Sequence, residues 1–116
     1  MGGSDRYQGP ARELALYEAV VATRSDIPRR GAKNPFTSLN NRMTSFLDAA
    51  GAMGLRLSPE DREAFMADYG TGLATQYGAT MREFVVVPPE LLADTAALAP
   101  WFERSLAWVE GLPPKA

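Results

Sequence analysis

The chain has 116 residues, 46% of them hydrophobic, and carries a formal net charge of −2. This length suits one domain with its own core, and the apolar content is too high for a disordered chain. The sequence contains no cysteine and no histidine. It therefore lacks the groups for disulfides, for thiolate or imidazole metal sites, and for Cys-His or Ser-His-Asp catalysis. We expect no catalytic residues, no metal and no cofactor.

The N-terminal part of the chain predicts a tail and a helix. Residues 1–9 are small and polar, so we expect a flexible tail. Pro10 suits a first helical turn, and apolar residues recur at helical spacing from Leu14 to Val21, which predicts a helix over residues 10–24. No apolar run approaches the ~20 residues of a membrane span, and the tail lacks the apolar core of a signal peptide. We therefore predict a cytoplasmic protein without membrane contact.

Residues 36–57 predict three strands. An extended piece over 36–39 is followed by Asn40-Asn41, a pair that tolerates the positive φ of a tight turn. Residues 43–48 alternate in the manner of a strand, with Met43, Ser45 and Leu47 on one face. Gly51 closes a hairpin to the third strand, whose inner face carries Met53, Leu55 and Leu57.

The next stretch predicts a helix and one or two strands. Ser58 caps a helix that Gly70 ends, with Phe65 and Tyr69 on its inner face. Residues 71–80 fit either a loop or a weak strand. The segment 84–87 is strongly β-prone, and the double proline that follows stops it.

The final helix completes a two-layer fold. Asp94 caps it, and its buried stripe consists of Leu98, Phe102, Ser105 and Val109. The element order is α-β-β-β-α-β(-β)-α, which predicts a single α+β domain over residues 10–112, an antiparallel sheet covered by helices. Residues 113–116 form a C-terminal tail.

Several short motifs also carry a family resemblance. The most specific is the corner Val87-Pro88-Pro89-Glu90-Leu91-Leu92 with Asp94 after it, where the family reads VP-x-E-L-L and an acidic residue. The other matching pieces are Arg42-Met43, Leu55-Arg56-Leu57, Glu63-Ala64-Phe65 and Pro100-Trp101. Over residues 14–111 the chain resembles the N-terminal domain of the TfoX/Sxy family, small bacterial proteins linked to the regulation of competence.

The resemblance implies a fold and a broad class of function. It implies a stand-alone α+β domain without the C-terminal helical domain of the full-length regulators. It also implies a binding or regulatory module, because the fold is similar to secretion-chaperone-like domains. The chain departs from the family at residues 33–41, where KNPFTSLNN replaces a glycine-rich stretch.

A basic segment is the first candidate contact surface. Five cations lie within 19 residues and are opposed only by Asp26; they are Arg24, Arg29, Arg30, Lys33 and Arg42. Such a segment fits nucleic-acid phosphates or an acidic partner. The alternative is a solvated loop with ordinary surface ion pairs, which we favour because the protein is acidic overall.

A polar loop and two tryptophans are the other candidates. The loop residues are Asn34, Thr37, Ser38, Asn40 and Asn41, which suit either a ligand contact or plain turn chemistry. Trp101 and Trp108 lie about two turns apart on the last helix, where they form a partner or dimer face or cover the sheet.

Three functional hypotheses follow. The leading one is a non-catalytic interaction or regulatory module that binds another protein or a second copy of itself. The first alternative is weak nucleic-acid binding through the basic segment. The second alternative is a small-ligand sensor with a pocket between the sheet and residues 34–41.

Overall fold

The structure, a computed structural model, describes residues 6–113 and confirms the α+β class. The strands in this range are β1 (Phe36–Leu39), β2 (Arg42–Leu47), β3 (Met53–Arg56), β4 (Leu73–Gln76) and β5 (Ala79–Val87). The helices are α1 (Ala11–Val21), α2 (Pro59–Tyr69), α3 (Pro89–Leu92) and α4 (Thr95–Glu110). The strands form one antiparallel sheet in the order β1-β2-β3-β5-β4.

Capping residues mark where α2 begins and ends and where α4 begins. The Ser58 side chain accepts a hydrogen bond of 3.2 Å from the Asp61 N–H at the start of α2. Gly70 ends that helix in the left-handed conformation, at φ +61°. The Asp94 carboxylate accepts from the Ala97 N–H at 3.2 Å, which caps α4. The predicted caps are thus present, because each depends on residues within one helical turn.

One face of the sheet is covered by the helices and holds the main core. The predicted inner residues of β3 are fully buried here, and so is the predicted stripe of α4. The cluster joins strands to helices through Leu47, Met53, Leu55, Val85 and Val87 on the sheet, and Tyr17, Phe65, Leu92 and Phe102 on the helices. This face is closed to solvent.

A chain of buried hydroxyls ties α1 to the first two strands. The Tyr17 and Ser45 hydroxyls are 2.7 Å apart, and Thr37 lies 2.6 Å from both Ser45 and Thr44. The β1–β2 register moves from Thr37↔Ser45 to Ser38↔Met43, so Thr44 is a bulged residue without a partner on β1. Burial raises the pKa of Tyr17 to about 12. These hydroxyls satisfy one another inside the core.

Several boundaries differ from the predictions. For residues 71–80, where the sequence allows a loop or a weak strand, the structure has strand β4, whereas β5 begins at Ala79, five residues before the predicted start. α1 is shorter than the predicted 10–24, and Tyr69 is 36% exposed instead of lying on the inner face. Pairing with neighbouring strands, rather than local propensity, sets the extents of β4 and β5.

Part of the predicted N-terminal tail lies against the domain. Tyr7 packs against the main core, and its hydroxyl donates a hydrogen bond of 2.5 Å to the Asp48 carbonyl. Residues 1–5 and 114–116 of the predicted tails lie outside the described residues. Between residues 6 and 113, no helix is both long enough and apolar enough to cross a membrane.

Candidate functional site

The face of the sheet opposite the helices carries a second, smaller apolar cluster. We call this side the helix-free face, because every member of its cluster lies on a strand. The members are Phe36, Met43, Phe46, Ala74, Met81, Phe84 and Val86. Neighbouring residues such as Leu47 and Val85 belong to the main core, as the two-residue period of a strand requires.

Two phenylalanines form the floor of this face. Phe46 is paired across β2 and β3 with Gly54, and its ring lies directly over that glycine. A Cβ added at Gly54 would lie 2.2 Å from the Phe46 ring, so a larger residue would displace it. The Phe46 and Phe84 ring centroids are 5.6 Å apart at an interplanar angle of 47°. The glycine therefore lets an aromatic side chain lie flat across the middle strand.

Arg56 holds the Phe84 ring of this floor in place. The Arg56 guanidinium lies 4.7 Å from the Phe84 ring centroid, and its Nε donates a 2.6 Å hydrogen bond to the Met43 carbonyl. The same guanidinium forms an ion pair with Glu83. Arg56 thus joins β2, β3 and β5 on the helix-free face and holds the Phe84 ring in place.

The end of the β4–β5 hairpin folds over this face. The register passes from Leu73↔Val85 directly to Ala74↔Met81, so residues 82–84 of β5 have no partner on β4. A bulge of this kind bends a strand pair. We call residues 74–81 the distal ribbon. Its tip shares a cavity with β1 and β2, although β3 and β5 separate β4 from β2 in the sheet. The ribbon therefore crosses the helix-free face.

A cavity of about 460 Å³ lies between the tip of the ribbon and residues of β1 and β2, and Phe46 is the floor residue that lines it. Its lining comes from residues 34–36, Met43, residues 46–50 and residues 75–77. Ligand sites in proteins are concave, mostly apolar and usually of roughly 300–1,000 Å³. The cavity has this size and this lining.

The lining is almost free of charge. Asp48 is the one acidic residue among the described lining residues, and neither Lys nor Arg is found there. Its Oδ1 accepts hydrogen bonds from the N–H groups of Ala50 at 3.0 Å and Ala52 at 2.9 Å, which organises the β2–β3 turn. Uncharged polar groups, among them the amides of Asn34 and Gln76, supply the other hydrogen-bonding capacity.

The tip of the ribbon carries a residue that is unusual for the backbone conformation at that position. Tyr77 has φ +52° and the next residue, Gly78, has φ +78°. The β1–β2 turn has the same conformation at Asn40 and Asn41, with φ +54° and +61°. Asn and Gly favour this conformation, whereas a bulky residue rarely adopts it. The Tyr77 side chain is also 94% exposed, so core packing does not explain it.

The basic segment is partly neutralised by carboxylates. Arg24 forms two hydrogen bonds with Asp26, of 2.9 and 2.8 Å, and another of 2.9 Å with Glu103. The first of these contacts lowers the pKa of Asp26. Arg29 lies 3.3 Å from the carboxylate of Glu18. Two of the five predicted cations are therefore paired within the fold.

The other three cations are less constrained. Arg42 donates through Nε to the Pro113 carbonyl at 3.1 Å. Arg30 and Lys33 are exposed. Residues 6–113 offer none of the three a carboxylate within ion-pair distance. The segment is thus a mixture of paired and solvated cations.

The predicted polar loop divides among several roles. Asn34 lines the cavity, whereas Thr37 lies in the buried hydroxyl chain. Ser38 is paired with Met43 in the β1–β2 ladder, and Asn40 and Asn41 form the turn between those strands. One of the five residues therefore reaches the cavity.

The two tryptophans lie in the helix layer, on the other side of the sheet from the cavity. Trp101 meets Phe65 edge to face at 5.0 Å, and its Nε1 donates to the Tyr69 hydroxyl at 3.3 Å. Trp101 is thereby attached to α2. Trp108 is half-buried on the same helix.

Sequence reasoning missed Phe46 and Tyr77 as cavity residues. The predicted alternation placed Met43 and Phe46 on opposite faces, but the bulge at Thr44 brings them to the same face. Two features of the sequence are signals for this site. One is the Tyr77-Gly78 pair, which is typical of a tight turn, and the other is Gly54, a glycine inside a predicted strand.

The comparisons with known proteins leave the family open. Protein-family models, curated proteins and solved structures give no significant match for this chain. The resemblance to the TfoX/Sxy N-terminal domain therefore stays a prediction based on the motifs quoted above. In the described part of the chain, no group of three or more acidic side chains is placed to hold a metal ion.

Proposed function

We propose that this protein is a non-catalytic binding module of regulatory type whose site is the cavity on the helix-free face. The observation that carries the proposal is the distal ribbon, which folds across that face and borders a cavity of about 460 Å³ lined by Phe36 and Phe46. A sheet face that only needed to be soluble would carry polar residues instead. Phe46, Ala74 and Phe84 are already buried by their neighbours, and a ligand would cover the members of the cluster that stay only partly buried.

The shape of the site favours a small molecule over a protein segment. The ribbon lies on one side of the cavity and the β2–β3 turn, at residues 48–50, lies on another. Flat protein interfaces usually bury about 800 Å² on each partner. A cavity bounded by two hairpin ends suits an occupant that enters it, so the small-ligand hypothesis has the stronger support.

The buried hydroxyls of Tyr17, Thr37 and Ser45 are closed off from any substrate, which fits a non-catalytic role. The side chains of Thr37 and Ser45 are fully buried and hydrogen-bonded to neighbouring hydroxyls. Tyr17 has a pKa raised to about 12 by burial, so its hydroxyl stays protonated near neutral pH. A nucleophile needs access to substrate and an adjacent base. These three groups have neither.

The other two hypotheses have less support. Nucleic-acid binding requires free cations, and Arg24 and Arg29 are held by carboxylates. A protein partner on α4 would use Trp101, which already packs against Phe65. A cytoplasmic location belongs to the proposal as well and rests on the sequence features described above.

A pair of matched variants tests the proposal. Ala49 is exposed and lines the cavity, and Ala107 is exposed on α4. Ala49→Trp fills the cavity from its rim, whereas Ala107→Trp makes the same change on the helix layer. The melting temperature is measured with a panel of neutral, anionic and cationic small molecules, since a ligand that binds only the folded state raises it.

The proposal predicts compounds that stabilise the natural protein and Ala107→Trp but not Ala49→Trp. Compounds that stabilise all three proteins equally would place the site elsewhere. A panel in which no compound stabilises the natural protein would count against a small-molecule site.

A further inference from the structure

We infer that the cavity takes an uncharged ligand with a flat aromatic ring, and that Tyr77 stacks on this ring and determines specificity. The inference rests on the proposed function and adds the chemical class of the ligand. Three features of the site carry it: the aromatic lining, the distribution of charge, and the backbone conformation at Tyr77.

Three aromatic residues are among those that line the cavity. Phe36 and Phe46 contribute from β1 and β2, and Tyr77 contributes from the tip of the ribbon. Phe46 is nearly buried by its own neighbours, whereas Tyr77 is 94% exposed. A ring bound between them would bury the Tyr77 side chain. Aromatic rings prefer offset-stacked or edge-to-face contacts with one another, so a flat ring is the occupant that gains most here.

The charges near the cavity select against ions. The described lining holds neither Lys nor Arg, so an anion would find no counter-charge there. It would also face Asp48, whose Oδ1 is already bonded to the amides of Ala50 and Ala52. A cation would have to lose its hydration against a mainly apolar lining, and the one carboxylate there is already partly neutralised by these two amide bonds. The amides of Asn34 and Gln76 can instead bond a neutral polar group.

The backbone of Tyr77 gives the third argument. A tyrosine at φ +52° is strained, and the equivalent turn between β1 and β2 uses Asn40 and Asn41 at the same conformation. Stability alone would therefore favour Asn at position 77. Burial does not compensate the strain, because the ring is almost fully exposed. The presence of a ring at this position despite the strain is explained by contact with a ligand.

The test uses three variants and four probes. Tyr77→Asn removes the ring and relieves the strain of the backbone at that position. Tyr77→Phe keeps the ring without its hydroxyl, and Asn40→Gly is the control in the β1–β2 turn. The probes are 2-naphthamide, its anionic analogue 2-naphthoate, the cation 2-naphthylmethylammonium, and the saturated decahydronaphthalene-2-carboxamide. Affinity is measured by titration of ¹⁵N-labelled protein, with amide shifts at residues 34–36, 46–50 and 75–77 as the readout.

We expect 2-naphthamide to shift these amides and to bind at least about tenfold more tightly than the other three probes. Tyr77→Asn should weaken 2-naphthamide at least about tenfold and raise the melting temperature, a combination that a purely structural role would not produce. Tyr77→Phe and Asn40→Gly should bind within about threefold of the natural protein.

Two results would overturn the inference and leave the proposed function standing. One is a charged or saturated probe that shifts the same amides with equal or higher affinity. The other is unchanged 2-naphthamide binding in Tyr77→Asn. If none of the four probes shifts residues of the cavity, the inference fails as well; the proposed function then fails only if the wider panel with Ala49→Trp is also negative.

Discussion

The two faces of the sheet are built from the same strands but are completed differently. The helix-covered face buries Leu55, Phe65 and Phe102 completely, and its polar groups form a closed chain of hydroxyls. The helix-free face has only a few buried residues and keeps a cavity of about 460 Å³ beneath a hairpin. In the proposed function, this difference separates stability from binding. One face holds the fold together, and the other keeps apolar side chains that are only partly buried beside the cavity.

The largest expected effect comes from removing a large side chain from each face and comparing the losses of stability. Phe102→Ala on the helix-covered face leaves a cavity in a sealed core, and we expect a loss of about 3–5 kcal/mol in the free energy of unfolding. Met43→Ala on the helix-free face changes a half-buried residue and should cost about 1 kcal/mol or less. Urea denaturation measures both. Equal losses would mean that the two faces contribute alike to stability.

A second prediction uses pH to probe the hydroxyl chain. Burial raises the pKa of Tyr17 to about 12, so the folded protein keeps a proton that the unfolded chain loses above about pH 10. Stability should therefore fall as pH rises from 10 to 12, with a contribution of about 2–3 kcal/mol from this group.

The control for the pH prediction is Tyr17→Phe, which has no hydroxyl to titrate. Urea midpoints for both proteins at pH 9 and pH 11.5 separate this residue from the other tyrosines, which both proteins share. If the two proteins lose the same stability over this range, Tyr17 does not titrate as its burial requires.

A third prediction concerns the floor of the helix-free face. Gly54→Ala places a Cβ 2.2 Å from the Phe46 ring, which must then move, and we expect a loss of about 1–3 kcal/mol. Gly72→Ala is the control, because a Cβ there would have no atom within 4 Å, and it should change stability by about 0.5 kcal/mol or less. Similar effects for both variants would show that Phe46 does not depend on the glycine.

The smallest expected effect is a gain in stability. Tyr77→Asn places a residue that tolerates the left-handed conformation at φ +52°, so the free energy of unfolding should rise by about 0.5–1 kcal/mol. Thermal and urea denaturation both detect a change of this size. A loss of stability would mean that the tyrosine ring stabilises the folded ribbon, and its presence at this position would then need no ligand.

The fold class could be predicted from the sequence because its signals are local. Ser58, Gly70 and Asp94 mark helix ends through contacts within one turn. The alternation of Met53, Leu55 and Leu57 assigns the inner face of β3 and of the residue that follows it, and all three are buried. Such features do not depend on which strands become neighbours.

The candidate site could not be predicted in the same way, because it depends on long-range pairing. The face to which Met43 belongs is set by the bulge at Thr44, and a one-residue shift moves a side chain to the opposite face. The path of the distal ribbon is set by the bulge at residues 82–84 and by the β3–β5 pairing. Only the assembled sheet brings Asn34 and Tyr77 to one cavity.

The methionine methyl groups give the most direct test of the central claim, that the helix-free face is the binding face. Met43 and Met81 lie on that face, whereas Met53 and Met66 pack with the main core. With ¹³C-methyl-methionine protein, titration with 2-naphthamide should shift the Met43 and Met81 signals saturably and leave those of Met53 and Met66 in place. Shifts of Met53 and Met66 with Met43 and Met81 unchanged would contradict the account.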